Sequence, residues 1–366
     1  MKNLVLFLAG FLVLSSCKKE KEPGPTPPAS NNIYFPKAVS TTWETISAES
    51  LGWNTSQLPA LYTFLESEQT RAFLVLKDGR IVLEKYFGQT ILGSEPFTAN
   101  SLWYWASAGK TLTSFVVGKA QKEGFLSIAD RSANYLGTGW TSMQPAKENL
   151  ITVRHQLTMT SGLDDGGDDP GNTSPQALVY KADAGTRWAY HNAPYTLLHN
   201  VVAKATGKSF TAYFEEKLKN PIGMDGQWIK KDNDNVYWST PRSMARFGIL
   251  MLAGGRWEDK EILGDADYFN ASIATSQNLN LSYGYLWWLN GKASAMLPQS
   301  QIVFTSSLNS AAPADMVSAM GKNGQVLSIV PSKGLVIVRM GLLSDGSFIS
   351  LPFQTALWER LRTIIK

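Results

Sequence analysis

Two strand hairpins, one near each end of the chain, constrain the fold more than any other feature of the sequence. The first, AFLVLKDGRIVLEKYFG, has two apolar runs on either side of Asp78-Gly79, a pair that is typical of tight hairpin turns. The second, QVLSIVPSKGLVIVRMG, repeats the pattern with PSKG at residues 331–334 as its turn. Because unpaired strand edges seek partners, we expect both hairpins to join one antiparallel sheet.

The remaining segments have the apolar spacing of helices. Leu58, Leu61 and Leu65 predict a helix before the first hairpin, and a C-terminal helix is predicted to begin at Pro352. The pattern of residues 101–255 is mostly helical. The predicted fold is therefore α/β (α+β): an antiparallel β-sheet, built from N- and C-terminal segments and flanked by helices, with an inserted, mainly helical lobe.

The N-terminal segment has the pattern of an export signal. Lys2 is followed by an apolar run, residues 4–14, that is too short to span a membrane. The run ends in LSSC, which resembles a bacterial lipobox and predicts lipidation of Cys17 as the first residue of the mature chain. The alternative is an ordinary signal peptide followed by a chance cysteine. Cys17 is the only cysteine in the sequence, so it has no partner for a disulfide within the chain.

These patterns divide the chain into a signal, a tether and one folded domain. The stretch KKEKEPGPTPPASNN follows Cys17 and predicts a flexible, partly extended tether. We therefore expect an exported protein that is lipid-anchored in the bacterial cell envelope. The predicted boundaries are 1–16 for the signal peptide, 17–32 for the lipidated cysteine and tether, and 33–366 for the domain, with a sheet lobe at about 33–100 and 280–366 and a helical lobe at about 101–279.

Composition and net charge argue against nucleic acid as a partner. A hydrophobic content of 44% indicates a globular chain, and a net charge of +4 over 366 residues, with no long basic run, argues against nucleic-acid binding. The acidic run DDGGDDPGN at residues 164–172 lacks the spaced ligands and closing glutamate of an EF-hand, so we interpret it as a flexible loop. We expect neither a metal nor an organic cofactor.

The segment WASAGKT, at residues 105–111, allows three interpretations. A phosphate-binding loop, G-x-x-x-x-G-K-[ST], needs glycine where Tyr104 stands, and a bulky aromatic side chain prevents that turn. The pattern S-x-x-K places Ser107 and Lys110 on one helix face, where the amine can activate the hydroxyl. The third interpretation is a helix that merely begins with these residues. S-x-x-K alone is weak, because Ser15 and Ser16 also match it.

A second motif, Tyr190-His191-Asn192, supplies a phenol and an amide from one loop. Burial and a helix N-terminus both disfavour a charged lysine, so we expect the pKa of Lys110 to be lowered. A tyrosine near a lysine ammonium can itself have a lowered pKa and exchange a proton with the serine. Asn192 is a candidate hydrogen-bond partner for Lys110 or for a substrate carbonyl.

These motifs and their order resemble the serine β-lactamase-like superfamily, which includes class C β-lactamases, DD-peptidases, esterases and 6-aminohexanoate-dimer hydrolases. The resemblance begins at about Leu74 and continues to the C-terminus. The segments that carry it are WASAGKTLTSFVVGKAQKEGFLSIADRSANYL, ITVRHQLTMTSGL, GTRWAYHNAPYTLLHNVVAKATGKSF, NPIGM, STPRSMARFGILMLAGG, YGYLWW and GKNGQVLSIVPSKGLVIV.

The resemblance implies a role for each matching residue. Ser107 matches the acylated nucleophile, Lys110 its proton partner, and Tyr190 the general acid/base that also serves the leaving group. Asn192 matches the substrate-binding amide. The implied oxyanion hole uses the backbone N–H of Ser107 and one from a strand expected to begin near Gly321-Lys322, for which we favour Lys322.

One departure narrows the implied substrate. β-Lactamases and DD-peptidases carry K-T-G or H-T-G on that strand, whereas this chain has DMVSAMGKNGQ. Lys322 is either a replacement cation or a solvated strand-end lysine. We therefore expect an esterase or amidase that acts on a small-molecule or peptide-like acyl substrate. The alternatives are a β-lactamase or D-Ala-D-Ala peptidase and a catalytically silent binding lipoprotein on the same fold. The oligomeric state is left open.

The histidines and a tryptophan pair are weaker candidates for the site. His155 and His199 are interpreted as structural or surface residues, and His191 is a candidate for lining the pocket. Trp287 and Trp288 are interpreted as core residues, one of which is a candidate for the pocket wall.

Overall fold

A computed structural model describes residues 32–38, 42–343 and 349–366 of the chain. The predicted signal peptide, the lipidation site at Cys17 and the tether up to residue 31 lie outside the described residues. None of the helices in the described ranges is both long enough and apolar enough to cross a membrane.

The centre of the fold is a six-stranded sheet that contains both predicted hairpins. In order across the sheet, the strands are β2 (Arg80–Tyr86), β1 (Thr70–Lys77), β11 (Leu335–Gly341), β10 (Gln325–Val330), β9 (Val317–Gly321) and β8 (Trp288–Leu289). Every neighbouring pair for which a register is defined is antiparallel. The prediction of one antiparallel sheet built from both ends of the chain is confirmed.

The two hairpin turns pack against each other at one end of the sheet. Asp78 and Gly79 both have positive φ angles, 47° and 82°, which the turn requires. The N–H of Asp78 donates to the carbonyl of Gly334 at 2.7 Å. A Cβ atom on Gly334 would lie 1.9 Å from the Asp78 carboxylate, so glycine is needed there for the turns to meet.

Alternating residues of β1 face two separate cores, as the two-residue period of a strand requires. Phe73 and Val75 pack with the two terminal helices, α1 (Leu58–Ser67) and α11 (Leu351–Ile364). Leu74 belongs to the larger core on the other face of the sheet. The terminal helices thus cover one face, as predicted, and the helices of the chain's middle cover the other.

The middle of the chain contains the remaining helices and a small sheet that the sequence analysis did not predict. Trp103–Tyr104 (β3), Asp234–Ser239 (β5) and Gln227–Lys231 (β4) form this sheet in the order β3-β5-β4. A hairpin of two short strands, β6 (Arg256–Trp257) and β7 (Lys260–Glu261), follows it in the chain. The helices are α2 (Lys110–Lys122), α3 (Ala133–Leu136), α4 (Pro145–Glu148), α5 (Val153–Leu157), α6 (Asn192–Thr196), α7 (Leu198–Thr206), α8 (Phe210–Phe214), continued by a π-helical turn at Glu215–Lys219, α9 (Pro241–Leu252) and α10 (Ala266–Ser272).

Candidate active site

Ser107 lies in a 3₁₀ turn that leads directly into α2. The turn spans Ala106–Gly109, and Ala106 adopts a left-handed conformation with φ of 48°. Lys110 is the first residue of α2, so the spacing of three residues places it beside the serine. The Nζ of Lys110 donates a hydrogen bond to the Oγ of Ser107 at 2.9 Å.

Lys110 is a buried cation with few polar contacts. Its side chain is buried, and the residue is 4% exposed. It forms no ion pair with any carboxylate in the described ranges. Burial lowers the pKa of Lys110 to about 8, although the negative charge of Asp234 opposes part of this effect. The lowered pKa agrees with the expectation from sequence, and burial is its main cause.

Two tyrosine rings lie against the Lys110 ammonium. Its Nζ lies 5.1 Å from the ring centre of Tyr190 and 4.4 Å from that of Tyr195. The Ser107 hydroxyl is also near enough to the Tyr190 phenol to lower its pKa. The predicted nucleophile, its predicted base and the tyrosine of the Y-x-N motif are therefore brought together, although Tyr190 is about eighty residues further along the chain than Ser107.

The protonation state of Tyr190 differs from the expectation. Burial raises the pKa of Tyr190 above its ordinary value, and the nearby Ser107 hydroxyl opposes this only in part. The expectation that the neighbouring lysine lowers this pKa is therefore wrong for the free protein. Tyr190 therefore carries its proton at neutral pH, whereas Lys110 is the group whose pKa approaches neutrality.

Asn192 and His191 are held at the start of α6. Asn192 is the first residue of this helix, and its Oδ1 is buried with no hydrogen-bond partner among the described residues. His191 precedes the helix and is 4% exposed. Burial lowers the pKa of His191 to about 4, with Asp165 and Asp164 opposing, so the ring is neutral at physiological pH.

The strand beside the nucleophile ends, rather than begins, at Gly321. β9 stops there, and Lys322–Gly324 form a tight turn in which Asn323 has a φ of 61° and Gly324 a φ of 70°. The strand expected to begin near Gly321-Lys322 is β10, which begins at Gln325, directly after this tight turn. A Cβ atom on Gly321 would lie 2.5 Å from the carbonyl oxygen of Trp105 and 3.0 Å from the N of Ala108. Only glycine allows this close approach.

Three buried or half-buried side chains hold this turn. Arg339 donates through Nη1 to the carbonyls of Asn323, at 2.7 Å, and Gly324, at 3.2 Å. The amide of Gln325 donates to the carbonyls of Lys322 and Asn323, each at 3.2 Å. The Asn323 side chain donates to the Tyr104 hydroxyl at 2.7 Å. The position of the Lys322 backbone relative to Ser107 is therefore fixed by several hydrogen bonds.

A sequence model of the Beta-lactamase family matches residues 66–341, which is most of the chain. The chain belongs to this family. Family membership, rather than any single motif, accounts for the order of the segments quoted above, from the S-x-x-K turn to the last hairpin. It also confirms the resemblance and the fold class that the sequence predicted.

Curated relatives match about half of their own length or less. The chain is 28% identical over 209 residues to the D-alanyl-D-alanine-carboxypeptidase/endopeptidase AmpH of Escherichia coli K12, which covers 52% of this chain and 51% of AmpH. It is 25% identical over 158 residues to a beta-lactamase of the same strain, covering 40% of this chain and 41% of that protein. The chain thus spans only about half the length of AmpH.

Solved structures extend the fold likeness over nearly the whole chain. A Bacillus anthracis protein, provisionally described as a 6-aminohexanoate-dimer hydrolase, superimposes with a TM-score of 0.65 at 17% identity and covers 92% of this chain and 91% of its own. The octameric penicillin-binding protein homologue of Pyrococcus abyssi has a TM-score of 0.60 at 17% identity, covering 83% and 75% respectively. At these identities the likeness concerns the fold.

In this Beta-lactamase-family chain, the aromatic residues around Tyr190 extend the predicted site. Trp288 stacks on Tyr190 with ring centres 5.8 Å apart, so it is the member of the tryptophan pair that contacts the site, whereas Trp287 stacks on Phe247 in the core. Tyr283 packs edge-on against Trp288 at 4.9 Å, and its hydroxyl is buried without a hydrogen-bond partner among the described residues.

Sequence reasoning missed Tyr195. Tyr195 lies three residues after Asn192 on α6, so the helical spacing that linked Ser107 to Lys110 could have found it. It also missed Tyr283 and Arg339, for which the sequence alone carries no comparable signal, because each reaches the site from a distant part of the chain.

The other singled-out histidines have structural contacts. His155 and Thr152 cap the start of α5, each side chain bonding to the backbone of the other residue. His199, on α7, lies near Lys110, which is on α2. In the acidic loop, Asp165 pairs with Arg187 at 2.6 Å. Across the described ranges, no group of three or more His, Cys, Asp or Glu side chains is placed to hold a metal ion.

Proposed function

We propose that the protein is a serine hydrolase that acts on an ester or amide through a covalent acyl-Ser107 intermediate. The observation that carries the proposal is the 2.9 Å hydrogen bond from Lys110 to Ser107, made by a lysine whose pKa is lowered to about 8. A serine hydroxyl needs a neighbouring base to attack a carbonyl carbon, and a lysine with this pKa has an unprotonated fraction at neutral pH.

Acylation involves two proton transfers, one from Ser107 to Lys110 and one from Tyr190 to the leaving group. Unprotonated Lys110 accepts the Ser107 proton as Oγ bonds to the carbonyl carbon. The backbone N–H groups of Ser107 and Lys322 stabilise the negative charge on the carbonyl oxygen. When the bond to the leaving group breaks, the protonated Tyr190 phenol donates its proton to that group. Its raised pKa fits it to hold this proton until then.

Deacylation reverses these roles with water. The Tyr190 phenolate accepts a proton from a water molecule, whose oxygen bonds to the acyl carbon. The ester bond to Ser107 breaks, and the Lys110 ammonium returns its proton to Oγ. The carboxylic acid is released with Ser107, Lys110 and Tyr190 in their starting protonation states. The Asn192 amide, whose buried Oδ1 is available for a donor, serves as the substrate-binding group.

The substrate proposed is a small-molecule or peptide-like ester or amide. The chain lacks K-T-G at the end of β9, and Lys322, exposed in the turn that follows, is the candidate replacement cation for a substrate carboxylate. AmpH is named as a D-alanyl-D-alanine-carboxypeptidase/endopeptidase, and the B. anthracis protein is provisionally named as a 6-aminohexanoate-dimer hydrolase. A β-lactamase or D-Ala-D-Ala peptidase is the alternative function, and a catalytically silent binding lipoprotein is the second alternative.

We also propose that the protein is exported and carries a lipid anchor at Cys17. Loss of palmitate incorporation in Cys17→Ser tests the anchor.

A panel of matched substrates tests the function. Rates with p-nitrophenyl esters, p-nitroanilides and nitrocefin are compared for the wild type, Ser107→Ala and the control Ser67→Ala, which changes an exposed serine on α1. We expect ester or anilide turnover that disappears in Ser107→Ala alone, together with a Ser107 acyl adduct in the mass spectrum. Fast nitrocefin turnover with little esterase activity favours the lactamase alternative, and an absence of any adduct favours the silent one.

A further inference from the structure

The Lys110 ammonium lies between the rings of Tyr190 and Tyr195, and of these two residues only Tyr190 has a role in the proposed reaction. Tyr190 exchanges a proton during the reaction. The ring of Tyr195, which lies nearer to Nζ at 4.4 Å, has no such task. Lys110 forms no ion pair within the described residues, so besides Ser107 Oγ at 2.9 Å the two ring faces are the groups of negative potential that lie against its ammonium. Tyr195 is therefore placed to act on the ammonium group itself.

Tyr195 is fixed from behind by residues on two neighbouring helices. Thr113, one turn after Lys110 on α2, donates through Oγ1 to the Tyr195 hydroxyl at 3.4 Å. The same Oγ1 lies 2.9 Å from Nε2 of His199 on α7. His199 also packs edge-on against Tyr195, with ring centres 5.8 Å apart. These contacts limit the movement of the Tyr195 ring relative to α2.

His199 is itself held in one orientation. Its ring stacks on Phe210 at 3.7 Å, and its Nδ1 lies 3.3 Å from the amide nitrogen of Asn235. Since an amide nitrogen can only donate, Nδ1 accepts and Nε2 carries the proton that it donates to Thr113. The Thr113 hydroxyl is then free to donate to Tyr195. The hydrogen bonds all run in one direction, from Asn235 towards Tyr195.

This arrangement adds no second positive charge beside Lys110. Burial lowers the pKa of His199 to about 3, and the nearby Lys110 lowers it further, so the ring is neutral at physiological pH. The titratable groups that face Lys110 are Asp234 at the start of β5, His199 on α7, Tyr195 on α6 and Tyr190 in the loop before α6. Of these, only Asp234 is charged at neutral pH.

We propose that Tyr195 is a positioning residue for Lys110: its ring face holds the ammonium in line with Ser107 Oγ, and the chain Asn235–His199–Thr113 fixes that ring. The inference rests on the proposed role of Lys110 as the base. A cation lying against an aromatic face is favoured over the neutral amine, so loss of the ring both lowers the pKa of Lys110 and frees its side chain.

The test measures the rate at which a fluorophosphonate labels Ser107 as a function of pH, which requires no knowledge of the substrate. Tyr195→Phe keeps the ring, and Tyr195→Leu removes it. We expect the pH midpoint of Tyr195→Phe to match the wild type. For Tyr195→Leu we expect the midpoint to fall by about one pH unit and the plateau rate to fall about tenfold.

Tyr213→Leu is the matched control, because it removes a buried tyrosine that contacts Glu123 at the far end of α2. It should lose comparable stability and keep the midpoint. A midpoint that stays unchanged in Tyr195→Leu, or one that shifts equally in Tyr213→Leu, overturns the proposal. If Tyr195→Leu does not fold, Thr113→Val is measured instead and should shift the midpoint in the same direction by less. Absence of any Ser107 label in the wild type would instead refute the proposed function.

Discussion

Lys110 and Arg339 are both buried cations, and the structure treats them in opposite ways. Lys110 is 4% exposed and Arg339 is fully buried. Neither forms an ion pair within residues 32–38, 42–343 and 349–366. An unpaired buried charge is costly unless hydrogen bonds compensate it. The two residues differ in how far that compensation goes.

Every part of the Arg339 guanidinium has an oxygen acceptor. Besides the two carbonyls of the 322–324 turn, it donates to Thr70 Oγ1 at 3.1 Å, to the Glu68 carbonyl at 2.6 Å and to the Leu342 carbonyl at 2.7 Å. Burial lowers the pKa of Arg339 to about 9, with Glu68 opposing, which still leaves the group charged at neutral pH. Arg339 therefore joins the ends of β1 and β11 to the turn beside Ser107 as a permanent cation.

Among the described residues, Lys110 has one hydrogen bond, to Ser107, and contacts two ring faces. Lowering its pKa from 10.5 to about 8 corresponds to about 3 kcal/mol against the charged form in the folded protein. The comparison shows how a buried cation becomes structural or reactive. Arg339 keeps its proton because all of its donor groups have oxygen acceptors. Lys110 can transfer its proton because its ammonium has a single hydroxyl acceptor among the described residues.

The largest expected effect is loss of labelling in Lys110→Met. Without the base, the fluorophosphonate should label Ser107 about 1,000-fold more slowly at pH 8. Because the substitution also removes a buried charge, the free energy of unfolding should not fall. Urea unfolding and labelling kinetics measure the two quantities. A clear loss of stability with near-normal labelling would reverse the assignment of Lys110.

Arg339→Met should show the opposite pattern. The substitution leaves several buried carbonyls without donors, so we expect the free energy of unfolding to fall by about 3 kcal/mol. Urea unfolding measures this loss, and Arg362→Met, which changes an exposed arginine on α11, is the control. A variant of Arg339 that is as stable as the control would contradict the structural role.

Whether a feature could be predicted from the sequence depended on how far apart in the chain its interacting residues lie. Local signals were sufficient for the hairpin at Asp78-Gly79 and for the pairing of Ser107 with Lys110, since turn chemistry and helical spacing act over a few residues. Arg339 was not predictable, because its acceptors come from segments far apart in the sequence. The protonated state of Tyr190 was also missed, since it depends on burial by distant rings.

The wild-type pH profile tests the state of Lys110 directly. The neutral amine is the base, and its fraction rises as the pH rises towards the lowered pKa of about 8. Labelling of Ser107 should therefore increase about tenfold per pH unit below pH 7 and level off above about pH 8. A profile that is flat from pH 6 to 9 would show that Lys110 does not supply the base.

Asp234→Asn should produce the smallest change. Asp234 is exposed, yet its negative charge raises the pKa of Lys110, because it favours the ammonium over the neutral amine. Removing that charge should move the midpoint of labelling to lower pH by a few tenths of a unit. At pH 7 this increases the rate by about twofold, an advantage that added salt should reduce because salt already screens Asp234 in the wild type. The control is Asp232→Asn, which changes an exposed carboxylate in the same hairpin and should leave the midpoint in place. A shift of the Asp234→Asn midpoint to higher pH would mean that Asp234 does not act on Lys110 as a simple charge.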